Sequence, residues 1–521
     1  MSDGYIQTDY EAVDWIAHHA AATPDKTAMI ELPSGRRLSY AQVDNRVGRL
    51  AAHLKHIGIR QGDRVGFLAL NTTDILELAF ATWRLGGIVL ALNFRLTASE
   101  LEFIVEDSSP RVIIHDGALP EVLAELQQRT SVDHWIETKG DGSDSAYERA
   151  IADAPASIDE RTPQPLNAQC MLMYSSGTTG KPKGVIITHG MLAFSATAGA
   201  GPGNNSRSSV SLAVMPLFHI AAMNVSCLPA LFIGATTVVM RSFEPGAVLA
   251  AIGDQALGVT HFFAVPSAFN VLRQHPDAET TDFSRLVIAV SGAETVPPPL
   301  VSWWAERGVV LQEGYGLTET AGQGCLLASE DVARKPGSAG KPLMHSRMKI
   351  MKDEHTEARD GETGEIWMRG AVVTPGYWGR PEATEDAFSG GWFKTGDIGT
   401  RDAEGYFYIE DRLKDMYISG GENVYPAEIE GVLYGIDAIA EVAVIGVFDE
   451  QWGEIGCAVV ALKPGFELEL AELIDHCEDR LAKYKHPAHL TIVEALPRNA
   501  TGKVLKFELR QTIPQQLGLK S

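Results

Sequence analysis

Residues 174 to 184 read Tyr-Ser-Ser-Gly-Thr-Thr-Gly-Lys-Pro-Lys-Gly and follow the apolar run Cys170-Met171-Leu172-Met173. Glycine lets the backbone take positive φ and come close to a ligand. Successive amides in such turns form an anion-binding concavity. Around Gly177 and Gly180, the hydroxyls of Ser175, Ser176, Thr178 and Thr179 add donors, and Lys181 and Lys183 add ammonium groups. The set describes a polyphosphate cradle. It is not of the Walker type: no Ser or Thr follows Lys181, and position 175, five before Gly180, is not glycine.

Seven further short motifs lie downstream. In order they are Pro216-Leu217-Phe218-His219, Ser291-Gly292-Ala293-Glu294 and Gln312-Glu313-Gly314-Tyr315-Gly316-Leu317-Thr318-Glu319, then Thr395-Gly396-Asp397 and Asp411-Arg412-Leu413-Lys414-Asp415. Ser419-Gly420-Gly421-Glu422-Asn423 and Pro497-Arg498-Asn499-Ala500-Thr501-Gly502-Lys503 complete the series. Any one alone reads as a turn or a cap. Together with the loop at 174, and in this order, they resemble the adenylate-forming superfamily: acyl-CoA synthetases, luciferases and peptide-synthetase adenylation domains. The resemblance runs along nearly the whole chain.

The resemblance implies an ATP-dependent, AMP-forming carboxylic acid–CoA ligase working through an acyl-AMP intermediate, with ATP, Mg2+ and coenzyme A. Such catalysis is mainly positioning and electrostatics. It further implies that Glu319 holds Mg2+ and that Thr318 bonds the α-phosphate. A hard cation suits a carboxylate completed by phosphate oxygens and water. Gly292, Ala293 and Glu294 would face the adenine across from Gln312, Glu313, Gly314, Tyr315 and Gly316, with Tyr315 stacking on it. Asp397 would bond the ribose, and Arg412 the ribose or a phosphate. Lys503 would bridge the carboxylate and α-phosphate during adenylation. Lys414 would be the hinge about which Ser419, Gly420, Gly421 and Glu422 swing in for thioester formation, with His219 as the gate of the pantetheine channel.

The implied acyl pocket includes Ala222, Asn224, Gly292, Gly316 and Gly322. Ala221, Ala222, Gly292, Gly316, Gly322 and Gly324 are small, which suggests room for more than acetate. No extra basic residue marks a second carboxylate. Met223 and Leu228 are apolar, whereas Asn224 and Ser226 offer polar contacts. A medium- or long-chain fatty acid is the expected substrate, with an aryl acid of the coumarate, ferulate or benzoate type as the alternative. An acyl-AMP ligase and a non-catalytic nucleotide-binding protein are the remaining readings. Retention of Lys503 and Glu319 argues against the last.

Composition narrows the field. A net charge of −23 repels nucleic acid, so anionic substrates require local basic pockets. Five dispersed cysteines with no C-x-x-C pair support neither a zinc site nor a disulfide framework. The start lacks a basic region followed by an apolar run. The longest apolar candidate, 75 to 92, is interrupted by Glu77 and Arg84. A cytoplasmic enzyme acting on a small carboxylic acid is expected. There is no integral membrane segment, and a homodimer is compatible with the sequence.

The elements that must position these motifs alternate between strand and helix patterns. Residues 64–70 read as a buried strand, and Asn71 to Asp74 caps a helix ending at Gly86-Gly87. Thr97 to Glu100 is a capping box, and 110–114 is the next strand. Similar runs follow at 185–187, 236–239 and 286–290. This alternation predicts parallel sheets covered by helices. Beyond residue 412 come strands at 441–448 and 454–462, and a helix over 467–482 with Leu470, Leu473, Ile474, Cys477 and Leu481 on one face. The expected fold is α/β: a large N-terminal domain of parallel and mixed sheets (1–411), a hinge at 412–415, and a small mobile α+β domain (416–521).

If Lys503 acts only in adenylation, Lys503→Ala abolishes pyrophosphate release from acid plus ATP and spares conversion of supplied acyl-AMP to acyl-CoA. The loss of one charge facing a developing anion is roughly 3 kcal/mol, about a hundredfold in rate. Lys414→Pro does the reverse, because it fixes φ at the hinge. Equal slowing of both half-reactions by both substitutions would remove the two-position scheme.

Overall fold

Strand and helix alternate through the first three hundred residues and build two large sheets. The computed structural model describes residues 10–32, 34–154, 161–175, 182–293, 296–412, 415–419, 422–449, 452–478, 480–481, 483–498 and 504–519. One sheet has six strands, in the order His134–Glu137, Val112–His115, Arg64–Leu68, Ile88–Ala91, Gln169–Ser175, Lys183–Thr188. Its first five strands are parallel, and the last is antiparallel to Gln169–Ser175. The second sheet has nine strands. Its centre is parallel from Leu311–Tyr315 through Ile288–Gly292, His261–Ala264, Val210–Ala213 and Thr236–Met240 to Thr27–Leu32.

Local signals explain the element ends. Thr72 caps the helix Thr73–Arg84 through its side chain. The capping box at Thr97 and Glu100 opens Ala98–Ser108. The strand expected at 64–70 stops at Leu68, and that expected at 286–290 runs Ile288–Gly292. The helix expected over 467–482 is shorter, Leu470–Glu478, and buries Leu473 and Cys477.

The helix Thr73–Arg84 is buried along its whole length, three charges included. Each charge has a partner: Arg36 on Asp74 at 2.5 Å, Arg46 on Glu77 at 2.7 Å and Arg84 on Asp14 at 2.7 Å. Buried ions are tolerated only when paired and hydrogen-bonded. The charges that interrupted the longest apolar run therefore fix a core helix. Leu76 and Leu78 share one core with Val65, Phe67, Val89 and Met171 of the six-stranded sheet, and with Met29 and Val239 of the nine-stranded one.

A third, antiparallel sheet carries Ser346–Met351, Gly364–Gly370, Trp392–Arg401 and Phe407–Arg412, with Phe388–Ser389 on its margin. A fourth joins Glu422–Val424, Tyr417–Ser419, Gly453–Leu462 and Ile439–Asp449, with His489–Val493 parallel to Gly453–Leu462. It has its own apolar core, including Val442, Val444, Val460, Leu473 and Cys477. The architecture is α/β, with large sheets flanked by helices and a smaller C-terminal unit. Among the described residues, no helix is long and apolar enough to cross a membrane.

Glu31 sits on Thr27–Leu32 with 2% exposure and accepts from the Thr73 amide at 2.7 Å and the Thr72 hydroxyl at 3.2 Å. Burial raises its pKa from 4.5 to about 7. The folded state thus retains a proton that the unfolded chain releases. Stability from this group is full below pH 4.5 and is lost as pH rises towards about 7. Wild type should lose about 3 kcal/mol relative to Glu31→Gln between these limits, read from urea unfolding at a series of pH values. A pH-independent difference would refute it.

Candidate functional site

Parallel strands deliver their loops to one sheet edge, where ligands of open α/β sheets collect. Ile288–Gly292 and Leu311–Tyr315 are paired neighbours, Ser291 opposite Glu313 and Gly292 opposite Gly314. The second and third motifs therefore lie side by side by strand register. A Cβ on Gly292 would stand 2.5 Å from the Gly314 carbonyl, and one on Gly316 would stand 2.4 Å from the Gly322 carbonyl. These two glycines are small because backbone abuts them. Their size does not measure the acyl pocket, which corrects the inference drawn from it. Ala293, directly after the strand, has φ of +73°, a left-handed conformation costly for alanine.

The polar groups here are strongly perturbed. Burial pushes the Glu313 carboxyl up to about 8, although it accepts from the Val296 amide, so it is mostly protonated at neutral pH. The Tyr315 hydroxyl donates to Asp397 Oδ2 at 2.7 Å. Asp397 follows the Thr395-Gly396 turn on Trp392–Arg401, and its backbone pairs across the ladder with Arg412. Gln312 donates to the Leu327 carbonyl at 2.7 Å. The Ser291 hydroxyl and Gln312 Oε1 are buried without partners among the described residues.

Thr318 and Glu319 form a short 3-10 turn after Tyr315. The Glu319 side chain is largely buried, and its Oε1 accepts from the Tyr377 hydroxyl at 3.1 Å. The Thr374 amide donates to the Glu319 carbonyl at 2.7 Å. Tyr377 belongs to a segment that also clasps the strand leaving the phosphate loop. The Trp378 amide bonds the Gly184 carbonyl at 2.7 Å, and the Ile186 amide bonds the Gly376 carbonyl at 3.1 Å. Lys183 Nζ lies 5.3 Å from the centre of the Tyr377 ring. On the other side of the loop, the Tyr174 hydroxyl donates to Asp107, which also pairs with Arg380 at 2.6 Å.

His219 lies next to Phe218, ring centres 4.6 Å apart, and Phe218 meets Phe94 edge-on at 5.1 Å. Burial, with Arg95 nearby, lowers the His219 pKa to about 4, and its Nε2 is buried without a partner among the described residues. The next turn, Ala222–Cys227, is a π-helix, a wide form frequent at functional sites. It buries Asn224, whose Nδ2 donates to the Ser195 hydroxyl at 2.9 Å and the Ala321 carbonyl at 2.5 Å. Asn224 Oδ1 and Gln323 Oε1 have no partner among the described residues.

Known proteins carry the same organisation. The family described as AMP-binding enzyme matches residues 16–378, and the AMP-binding enzyme C-terminal domain matches 428–503. The chain belongs to the AMP-binding enzyme family. It is 38% identical to a feruloyl-CoA synthase of Amycolatopsis sp, covering 95% of this chain and 98% of the relative. It is 37% identical to a long-chain-fatty-acid–CoA ligase of Mycobacterium tuberculosis, covering 96% and 99%. The o-succinylbenzoate CoA synthetase of Bacillus subtilis, solved with its acyl-adenylate intermediate, superposes with a TM-score of 0.85 at 32% identity over 97% and 98%. This family member is an AMP-forming acid–CoA ligase.

Strand pairing brings Gly292, Gln312, Glu313, Gly314 and Tyr315 together, the Tyr315 hydroxyl reaches Asp397 on the third sheet, and the Tyr377 segment links Glu319 to Lys183. Ser175 ends its strand opposite Lys183, Ser419 is buried opposite Glu422, and Ala222 is buried. Ser176, Gly177, Thr178, Thr179, Gly180, Lys181, Glu294, Lys414, Gly420, Gly421 and Lys503 lie outside the described residues. Sequence reasoning missed Tyr377, Phe94, Arg95 and Asp107. A Pro375-Gly376 turn between two strands was the available signal for Tyr377.

The neutrality of His219 is directly measurable. Its ring should titrate in NMR with a midpoint of about 4, so it stays uncharged from pH 5.5 upward. A midpoint near the ordinary 6.5 would show that the ring is solvated.

Proposed function

We propose that this enzyme joins an aryl carboxylic acid bearing a hydrogen-bond donor to coenzyme A, using ATP and Mg2+. A carboxylate oxygen of the acid attacks the α-phosphorus of ATP and expels pyrophosphate, giving the acyl-AMP. The CoA sulfur then attacks the acyl carbon, its proton leaves to solvent, and AMP departs. Thr318 and Lys503 act on the α-phosphate, residues 175–183 on the leaving pyrophosphate, and Tyr315, Asp397 and Arg412 on adenine and ribose. Glu319 offers the hard oxygen that Mg2+ prefers, and the ion, when bound, neutralises phosphate charge. A hinge at 412–415 turns the C-terminal unit so that Ser419 to Glu422 follow Lys503 into the site, with His219 at the thiol channel. The cytoplasm, where ATP and CoA are abundant, suits this reaction.

The observation supporting an aryl acid is the pair of buried acceptors, Asn224 Oδ1 and Gln323 Oε1. An unpaired buried acceptor costs about 1–3 kcal/mol. A phenol or amine on the acid would relieve that cost, and an alkyl chain would not. A medium- or long-chain fatty acid is the second reading, supported by the apolar neighbours Ile220, Met223, Val225 and Leu228.

An acid panel decides between them. Hydroxycinnamates and hydroxybenzoates should give kcat/KM at least about tenfold above their deoxy analogues, with AMP, pyrophosphate and acyl-CoA as products. Preference for octanoate to palmitate would establish the fatty-acid reading. Release of ADP, or product formed without CoA, would sink both.

A further inference from the structure

We infer that Tyr377 is a positioning residue that sets the Glu319 carboxylate for the metal–nucleotide complex and ties it to the Lys183 end of the phosphate loop. The inference rests on the acid–CoA ligase reading and its assignment of Glu319 to Mg2+.

Three independent contacts converge on this residue. Its hydroxyl donates to Glu319 Oε1 at 3.1 Å. Its ring stands within cation–π range of Lys183, at 5.3 Å. Its backbone is held against the strand beyond the phosphate loop through the Val185–Tyr377 bridge and the flanking Gly376 and Trp378 hydrogen bonds. The Thr374 hydroxyl adds a bond to the Ile186 carbonyl at 2.6 Å. One residue therefore touches both the acidic and the basic side of the implied ATP site from a strand-anchored base.

The donor type matters. A lysine or arginine beside Glu319 would compete with a divalent cation for the carboxylate. A phenol fixes one oxygen and leaves the charge in place.

Tyr377→Phe removes the hydroxyl and keeps the ring on Lys183. Calorimetric titration of ATP into the full-length, acid-free enzyme, with and without Mg2+, reads the effect without turnover. Tyr377→Phe should bind metal-free ATP as wild type does and lose about tenfold of the affinity gained from Mg2+, the size expected for one hydrogen bond to a charged group. In a Glu319→Gln background, where that gain is already lost, Tyr377→Phe should add nothing. A wild-type circular-dichroism spectrum and cooperative thermal unfolding show that the variant is folded. An unchanged Mg2+ gain, or equal weakening with and without metal, overturns the positioning role. Absence of any Mg2+ gain in wild type instead overturns the assignment of Glu319 on which the inference stands.

Discussion

The backbone clasp between residues 184–186 and 376–378 governs the geometry of this site. Two amide–carbonyl bonds of 2.7 and 3.1 Å fasten the strand beyond the phosphate loop to a segment reaching across from the third sheet. Lys183 begins a strand of the first sheet, and Glu319 lies in a short turn leaving the second. Through the clasp, Tyr377 spans them. The surroundings suit close approach: a Cβ on Gly184 would lie 3.0 Å from the Tyr174 ring and 3.2 Å from Trp378. Asp107 then anchors the flank, accepting from Tyr174 and Arg380 at once. Preorganised groups of this kind need no rearrangement as charge develops, which is where electrostatic catalysis gains most.

The frame behind the clasp is stiff for a related reason. Thr73–Arg84 runs through the core with Asp74, Glu77 and Arg84 buried and paired. Removing one partner from such a pair typically costs about 3–5 kcal/mol, so the helix has one register. Its neighbours on the two large sheets are held with it, and so are the loops at their ends.

Much of this was legible in the sequence for identifiable reasons. Glycine-rich and acidic turns at the ends of apolar runs are local signals, and they singled out Gly292, Tyr315, Glu319 and Asp397 along the chain. The capping box at Thr97 was equally local. Relations between distant segments were not legible. Nothing in Pro375-Gly376-Tyr377 announces a partner at Glu319, fifty-eight positions away. Gly292 and Gly316 misled because a glycine that gives room to a substrate and one that gives room to a carbonyl look alike in one dimension. The Leu470–Glu478 helix is shorter than its apolar stripe because Leu481, the last member of the stripe, reaches the same core from the turn beyond the helix.

A chain carrying net charge −23 must still bind polyanions, and the described site suggests how it limits repulsion. Glu313, fully enclosed beside the implied adenine edge, has its carboxyl pushed to about 8 and so carries little charge at pH 7. The Asp397 carboxylate accepts from a neutral phenol, Tyr315, and Glu319 accepts from another, Tyr377. In both pairs burial is the leading cause holding the phenol protonated. Phenols direct a carboxylate without cancelling it, so Asp397 and Glu319 are both held in place by neutral donors. Neutral donors and a protonated acid thus let an acidic protein limit the negative charge gathered around this sheet edge.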